Sequence, residues 1–376
     1  MKPIISVCVV VAALIATGLV QDPGGVVNTV AAQALQKTSR EVPKFEVDPT
    51  WPKLPAKWVF GQVSSVSVDE NGHAWVLQRP NTVRADQKGR AAPPVLEFDE
   101  NGNYVQGWGG PGEGYDWPKT EHGIYVDRDD NVWIGSNSSE GDRQVLKFTA
   151  KGKFLKQIGH PSKDPYDSSR TDILGRTAGI EVDADAHELY LADGYGNKRV
   201  IVFDSETGAF KRMWGAYGNK PDDADPGPYN PTAPPDQQFR NPVHCVHISH
   251  DGLVYVCDRT NNRMQIFTKQ GKFVKEFLVH RETRDNGSTW TLSFSHDPGQ
   301  KYLLVGDGIN QRIWVLRRED GAEVSNFGEG YLHSVHQAGL DSKGDFYIGD
   351  VGGAGPRTGP GNNKSVQKFI LQHSVR

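Results

Sequence analysis

Hydrophobic and polar residues alternate in short stretches that recur along the whole chain. Residues 122–136 read HGIYVDRDDNVWIGS, two alternating stretches joined by a polar turn, and this pattern predicts a β-hairpin. Hairpins of the same kind begin 44 to 65 residues apart, at Ser64, Gly179, His244, Leu292 and His336. A repeat of this length with four strands per unit is typical of a propeller. The sequence therefore predicts an all-β fold, a six-bladed β-propeller.

Each repeat also contains a third and a fourth strand. In the third repeat these are RVIVF, ending at Phe203, and FKRMWG, ending at Gly215. The last repeat ends at residues 369–371 after only three strands. The segment KWVFG at residues 57–61 matches the fourth strands, so we expect it to complete the sixth four-stranded antiparallel blade. Such a closure by an N-terminal strand would leave no exposed sheet edge.

The N-terminal region differs from the repeats. Lys2 is followed by an apolar run over residues 4–20, which predicts a signal peptide in residues 1–22. The run is also long enough for an uncleaved anchor, and only in that case do we expect contact with a membrane. Residues 23–56, with several prolines, are predicted to form a linker or arm, and residues 57–376 the propeller. We thus expect an exported protein, periplasmic or secreted.

Charge and cysteine content add two expectations. The net charge of −4 and the pI near 6.3 argue against nucleic acid as a partner, and we expect a monomer. Pairing the fourth hairpin across its SHDG turn sets Cys245 opposite Val256 and Cys257 opposite His244. The two thiols then point to opposite faces of the sheet, which predicts two buried free cysteines and no disulfide.

Histidine occupies the first hairpin position in alternate repeats. His122, His244 and His336 hold this position in the second, fourth and sixth repeats, although the chain has only 12 His. In a closed ring of six blades they would form a triangle around the axis. Three converging imidazoles with an open fourth position are typical of catalytic zinc, although copper and iron also suit such ligands. The alternative is three structural His bonded to backbone carbonyls; His333 is an out-of-phase substitute for His336.

Three further residues follow second strands, on the face that carries the long loops. Arg79, Tyr195 and Arg259 each lie just past a hairpin, where they can lean toward the axis. Arginine binds carboxylates through two hydrogen bonds. A Tyr beside two Arg and a metal could act as a base, because nearby positive charge favours its phenolate form. The alternative is that both Arg stabilise loops and Tyr195 packs.

A D-x-x-x-N/Q-x-R pattern recurs after the second strands of several repeats. It is complete at Asp193, and it occurs at Asp258 and Asp307 with one residue fewer before the Asn. Because repetition in several blades suits architecture better than a single site, we interpret it as scaffold that ties the loop between second and third strands.

The motifs GQVSSVSVD, HGIYVD, ADGYGNKRVIVF, CDRTNNRMQIF and GDFYIGD resemble NHL-repeat propellers, and more narrowly peptidyl-α-hydroxyglycine α-amidating lyases. The resemblance covers about residues 60–369. It implies a catalytic zinc on His122, His244 and His336, a catalytic Tyr195, and two active-site arginines, Arg79 and Arg259. The family also binds calcium through an Asp where this chain has Gln337. Zinc is therefore the predicted cofactor, and calcium a second candidate that lacks its carboxylate.

The function implied by the resemblance is cleavage of the C–N bond of an α-hydroxyglycine-type amide, giving a primary amide and glyoxylate. The substrate would be a small molecule or a peptide with such an end. An alternative of another class is a propeller that binds a protein or peptide without turnover. Lactone hydrolysis is a third hypothesis, but such enzymes use carboxylates around calcium, and the first hairpin positions hold no Asp or Glu.

Overall fold

A computed structural model describes residues 42–352 and 364–372. Within these residues the strands form six separate sheets, each with four antiparallel strands in consecutive order apart from the sheet that contains both the first and the last strand. Each sheet is one blade. The chain is a six-bladed β-propeller, as the alternation in the sequence predicted.

The strands are numbered in chain order. The inner strands, blades one to six, are β2 (Gln62–Val68), β6 (Glu121–Val126), β10 (Gly179–Asp183), β14 (Val243–Ile248), β18 (Thr291–Phe294) and β22 (Val335–Leu340). The second strands are β3 (Ala74–Arg79), β7 (Asn131–Ser136), β11 (Glu188–Asp193), β15 (Leu253–Asp258), β19 (Tyr302–Asp307) and β23 (Phe346–Asp350).

The third strands are β4 (Val95–Phe98), β8 (Gln144–Thr149), β12 (Arg199–Asp204), β16 (Arg263–Thr268), β20 (Arg312–Arg317) and β24 (Val366–Leu371). The outer strands are β5 (Tyr104–Trp108), β9 (Phe154–Gly159), β13 (Phe210–Trp214), β17 (Phe273–Leu278), β21 (Glu323–Phe327) and, for blade six, β1 (Phe45–Val47). Short 3₁₀ helices occur in the loops Pro80–Thr82, Ala85–Arg90, Ala216–Gly218 and Arg259–Asn261.

The ring is closed by an N-terminal strand, but by a different one from that predicted. Strand β1 pairs antiparallel with β24, with Phe45 opposite Leu371 and Val47 opposite Phe369. The Phe45 ring stacks on Phe327 of blade five at 4.4 Å between centroids. The propeller therefore begins before residue 57, inside the stretch that was expected to be an arm.

Residues 57–61 instead lie along the first blade. Val59 forms a parallel bridge with Ala91, and the Trp58 ring meets Tyr104 edge-on at 5.2 Å. The aromatic-and-glycine pattern of an outer strand was present, but its partner is a loop of blade one. The prediction of residues 57–61 as the closing strand was wrong because the true strand, FEV, is too short to show a repeat.

Apolar side chains fill the spaces between neighbouring blades. Six buried clusters occur in the described residues, and each joins two adjacent sheets. Trp51, which is 1% exposed, belongs to the cluster between blades six and one, where its ring meets Phe98 and Tyr347 edge-on. Burial of side chains this large contributes about 1.5–3 kcal/mol each, so the blades hold the inner strands firmly around the axis.

The repeated Asp and Arg form the predicted scaffold in blades three and four. Arg199 Nε lies 2.9 Å from Asp193 Oδ2, and Arg263 Nε lies 2.7 Å from Asp258 Oδ2, all fully buried. Blade five departs from the pattern, since the indole of Trp314 rather than an arginine donates to Asp307.

A disulfide joins Cys245 to Cys257, and this corrects the prediction of two free thiols. The pairing of β14 with β15 shifts by one residue between Val243 and Cys245, so that the two cysteines lie directly opposite each other. The extra residue of this β-bulge is His244. A bulge cannot be recognised from the alternation of hydrophobic and polar residues. A shift of one residue nevertheless reverses the face of every side chain beyond it.

The described residues provide little evidence on the predicted membrane anchor or on export. No helix among residues 42–352 and 364–372 is long and apolar enough to cross a bilayer. The predicted signal peptide and most of the predicted arm lie outside the described residues.

Candidate metal centre

Irregular strand pairing brings the three histidines to the axis. The register shifts between Glu121 and Ile124 in β6, at His244 in β14, and between Val335 and Ala338 in β22. All three shifts contain the histidine of that blade. A bulge bends its strand and reorients the side chain, which takes each imidazole out of the in-and-out alternation of its sheet.

The structure brings the three predicted ligands together. Ring centroids are 4.6 Å apart for His122 and His336, 4.9 Å for His244 and His336, and 5.2 Å for His122 and His244. One nitrogen from each ring lies within 4.8 Å of the others. The rings are at most 2% exposed. His333, the proposed substitute, lies outside this cluster.

Each imidazole is oriented by a backbone carbonyl of the next blade. His122 Nδ1 donates to Ala178 O at 3.0 Å, His336 Nδ1 to Ser64 O at 2.5 Å, and His244 Nδ1 to Trp290 O. Every blade thus contributes one group, from its inner strand or from the residue just before it. Three blades contribute a histidine and three a backbone carbonyl. These bonds fix the tautomer that leaves each Nε2 free of its proton, the form in which histidine binds a metal.

Burial keeps the three rings neutral. It pulls the pKa of His122, of His244 and of His336 well below the ordinary histidine value, because a buried imidazolium loses its hydration. Positive charge adds to the effect, chiefly Arg259 for the pKa of His244 and Arg79 for that of His336. Neutral imidazoles present lone pairs, which is what a metal ion requires.

Tyr195 supplies a test of whether these residues fit a cation. Its hydroxyl lies 3.0 Å from both His122 Nε2 and His244 Nε2. With both Nδ1 protons given to carbonyls, the hydroxyl has one proton for two lone pairs. One of the two contacts therefore joins acceptor to acceptor. A cation between these atoms would satisfy all of them, so the donor set fits a metal such as zinc.

A glycine allows Tyr195 to reach the centre. A Cβ added to Gly194 would lie 2.0 Å from Val243 O, so only glycine permits the loop after β11 to approach β14 this closely. Tyr195 N–H then donates to Arg176 O at 3.3 Å. The loop is thereby held against the strand that carries His244, and the phenol is directed at the triad.

The two predicted arginines border the same site. Arg259 Nη1 donates to the Tyr195 hydroxyl at 3.2 Å, and its guanidinium lies 4.2 Å from the Trp290 ring centroid. Arg79 donates to Glu121 O at 2.8 Å and to Gln62 Oε1 at 2.9 Å. Burial lowers the pKa of Arg79 from its ordinary value. Both guanidiniums are held by neutral oxygens, so their charge is available to an anionic ligand.

Gln337 occupies the channel below the triad. Its Nε2 donates to Ala178 O at 2.6 Å and to His244 O at 3.3 Å, and its Oε1 accepts from Ser65 Oγ at 2.9 Å. The amide thus forms hydrogen bonds with neutral oxygens here, and it brings no carboxylate for a cation. Beyond it, a cavity of about 240 Å³ lies between the inner strands.

Sequence reasoning missed two residues of this centre, Arg176 and Trp290, which come from loops that vary between repeats. Gln337 was noted only as the residue that stands where the family has a calcium-binding Asp, and its hydrogen bonds below the triad were not predicted. The place of Trp290 follows from the register of the fifth hairpin, which the structure reveals. Thr291 pairs with Gly306 as Gly179 pairs with Ala192, so the fifth hairpin begins at Thr291 rather than at Leu292.

The chain is similar to known proteins over most of its length, and no family model matches it. It is 26% identical to mouse NHL repeat-containing protein 3 over 358 residues, which cover 89% of this chain and 86% of that protein. It is 26% identical over 356 residues to peptidyl-alpha-hydroxyglycine alpha-amidating lyase 1 of Drosophila melanogaster, covering 85% of this chain and 58% of the lyase. The resemblance that the motifs indicated is thus confirmed.

Among solved structures, the fold is similar to a catalytically inactive virginiamycin B lyase from Staphylococcus aureus with quinupristin. The TM-score is 0.50 and the identity 14%, over 88% of this chain and 90% of that one. At this identity the likeness supports the propeller fold alone.

Proposed function

We propose that this propeller is a zinc-dependent lyase that cleaves the C–N bond of an α-hydroxyglycine-type amide. The observation that carries the proposal is the set of three imidazole nitrogens and one phenol oxygen at one buried point, with too few protons to satisfy them. Similarity to an amidating lyase over 85% of the chain supports the choice of reaction.

Zinc bound by His122, His244 and His336 would act as a Lewis acid and lower the pKa of the substrate hydroxyl. Arg79 and Arg259 bind the substrate carboxylate, which orients the hydroxyl toward Tyr195. Tyr195 accepts the hydroxyl proton, and Arg259, which donates to the phenol oxygen, holds that oxygen in place.

The electron pair left on the substrate oxygen forms the C=O bond of glyoxylate. The C–N bond breaks, and its electron pair goes to the amide nitrogen. Tyr195 returns the proton to that nitrogen, which completes a primary amide. No oxidant or reductant is consumed, so the described residues and the ion suffice for the reaction.

Export also forms part of the proposal. The Cys245–Cys257 disulfide is typical of proteins in oxidising compartments, which supports a periplasmic or secreted location. A monomer is sufficient for the chemistry, because every proposed group comes from one chain.

The test is glyoxylate release from α-hydroxyhippurate by the purified protein, before and after removal of metal by a chelator. We expect release that is lost on chelation and restored by zinc, together with about one zinc per chain by elemental analysis. His122→Ala should lose both zinc and turnover. Zinc-loaded protein that releases no glyoxylate above the chelated control would refute the lyase.

A binding module without turnover is the second candidate. It is favoured by the similarity to NHL repeat-containing protein 3, which extends over most of both chains. In that case His122→Ala would leave partner binding intact, and zinc would have no effect on any measured activity.

A further inference from the structure

Arginines and aromatic rings alternate in a continuous row across the candidate site. The guanidinium of Arg143 lies 4.1 Å from the Tyr166 ring centroid, and that of Arg176 lies 5.4 Å from it. Arg176 is also 5.6 Å from the Tyr195 centroid, as is Arg259 on the same ring. The row thus connects the reaction centre with the loop between β9 and β10.

The new members of this row have no ion pair of their own, although the Asp164 carboxylate, which is paired with Arg170, lies close enough to Arg143 for its pKa to be lowered by that charge. Arg143 Nη2 donates to Asp164 O at 2.5 Å and Arg176 Nη2 to Tyr195 O at 2.8 Å, both neutral carbonyls. Neither guanidinium forms an ion pair with an Asp or Glu in residues 42–352 and 364–372. Arg143 is 3% exposed, and the buried Nε of each arginine has no hydrogen-bond partner among the described residues.

Such an arrangement is costly unless a ligand compensates for it. Burying a cation without a paired counter-ion costs free energy, and here two guanidiniums without an ion pair, Arg143 buried and Arg176 half-buried, are added to Arg79, Arg259 and the proposed metal site. A single substrate carboxylate, held by Arg79 and Arg259, would leave the charge of Arg176 without a counter-ion. The site as a whole therefore has more positive charge than a substrate with one carboxylate can neutralise.

The backbone at Arg176 supports a functional role. Its φ is +65°, in the left-handed region that non-glycine residues rarely adopt. This conformation costs of the order of 1 kcal/mol and persists where the surroundings impose it. Here the Arg176 carbonyl accepts the Tyr195 N–H, while its side chain donates back to the Tyr195 carbonyl. The clamp places the guanidinium beside the reacting phenol.

We propose that Arg176, with Tyr166 and Arg143 behind it, binds a second carboxylate on the acyl side of the substrate's scissile C–N bond. The substrate class is then an N-acyl-α-hydroxyglycine whose acyl chain carries an acidic group. As a statement about substrate, this rests on the proposed lyase function. The anion site itself rests only on the guanidiniums and their partners.

The test uses two unreactive ligands that lack the α-hydroxyl, N-succinylglycine and N-butyrylglycine. They differ in one carboxylate in place of a methyl group. By calorimetry on the zinc-loaded protein, we expect N-succinylglycine to bind about 10- to 100-fold more tightly, as one charge-assisted pair allows. Arg176→Gln should remove this preference, so that N-succinylglycine loses far more affinity than N-butyrylglycine does. Arg176→Lys should restore part of it, since a point charge remains.

Arg90→Gln is the matched control, because it removes one positive charge from an exposed loop of another blade. It should keep the preference for N-succinylglycine. Equal affinities in the unmodified protein, a preference that survives Arg176→Gln, or an equal loss in Arg90→Gln would each overturn the proposal. Tighter binding of N-benzoylglycine than of N-succinylglycine would also overturn it, in favour of ring stacking on Tyr166.

Glyoxylate release from the α-hydroxylated forms of the two ligands separates the two proposals. If neither is cleaved while the calorimetric preference depends on Arg176, the lyase fails and the anion site stands. If both are cleaved with equal kcat/KM, and binding shows no preference, the lyase stands and the anion site fails.

Discussion

Two sets of arginines in this propeller differ in what they face. Arg199 and Arg263, deep in blades three and four, are each paired with a buried aspartate of the same blade. Arg79, Arg176 and Arg259, at the mouth of the channel, donate to carbonyl, amide and phenol oxygens. The same residue type is therefore ion-paired in the scaffold and has no carboxylate directly paired with it at the candidate site.

The difference separates structural from functional charge. A buried ion pair is strongly destabilised when one partner is removed, because the other remains charged and desolvated. A cation without an ion pair is the reverse case. Removing it relieves a desolvation cost that is otherwise offset only when an anionic ligand binds. Arg263 and Arg259 lie only four residues apart and represent the two kinds, so substitutions at these positions test the difference directly.

The largest effect is expected for Arg263→Met. Asp258 would stay fully buried without its cation, and the free energy of unfolding should fall by about 3–5 kcal/mol. Urea denaturation followed by tryptophan fluorescence measures this. Asp258→Asn combined with Arg263→Met should recover part of the loss. A decrease below about 1 kcal/mol in the single variant would contradict the assignment of this pair to the scaffold.

Arg259→Gln should act on activity rather than on stability. Removing the donor to the Tyr195 hydroxyl is expected to lower kcat/KM for α-hydroxyhippurate by about 100- to 1000-fold. The urea midpoint should remain unchanged or rise. Kinetic and denaturation measurements on the same preparation decide the point, and a large loss of stability would place Arg259 with the scaffold.

Alternation, phase and motif were enough to predict the propeller, the triad and the three residues beside it. Those features repeat, so several copies support each inference. The bulge at His244 does not show in alternation, and this reversed the predicted face of Cys245. Arg176 and Trp290 lie in loops without a counterpart in other repeats, and their positions follow from packing between blades. The three-residue β1 carries too short a pattern to be distinguished from its neighbours.

A smaller effect is expected for Gln337→Leu. The substitution removes the donors to Ala178 O and His244 O, which help to hold the backbone around His122 and His244. Zinc affinity should fall by about 10- to 100-fold, as for other residues that orient ligands. Competition with a chromogenic chelator measures it. Ser65→Ala, which removes only the bond to Gln337 Oε1, is the milder control and should change affinity much less.

The smallest effect concerns an ion pair at the solvent edge of the scaffold. Hydrogen bonds from Arg212 hold the pKa of Glu188 at about 2, compared with 4.5 for the free side chain. The pair therefore stabilises the fold above pH 4.5, and this contribution is lost as the pH falls toward 2. Glu188→Gln should reduce the fall in the free energy of unfolding over this range by on the order of 1 kcal/mol, measured by urea denaturation at each pH. An unchanged acid profile would contradict it.

The pairing of β1 with β24 has a consequence for how the ring can be opened. Phe45 and Leu371 are opposite each other across one rung of a sheet, so the two ends of the propeller are only about 5 Å apart in the direction of hydrogen bonding. A short peptide could link them, and a new start could be made at the tight turn between β6 and β7. Such a circular permutant should rebuild the same three-histidine centre, because adjacency of the blades, and not the order of synthesis, creates it.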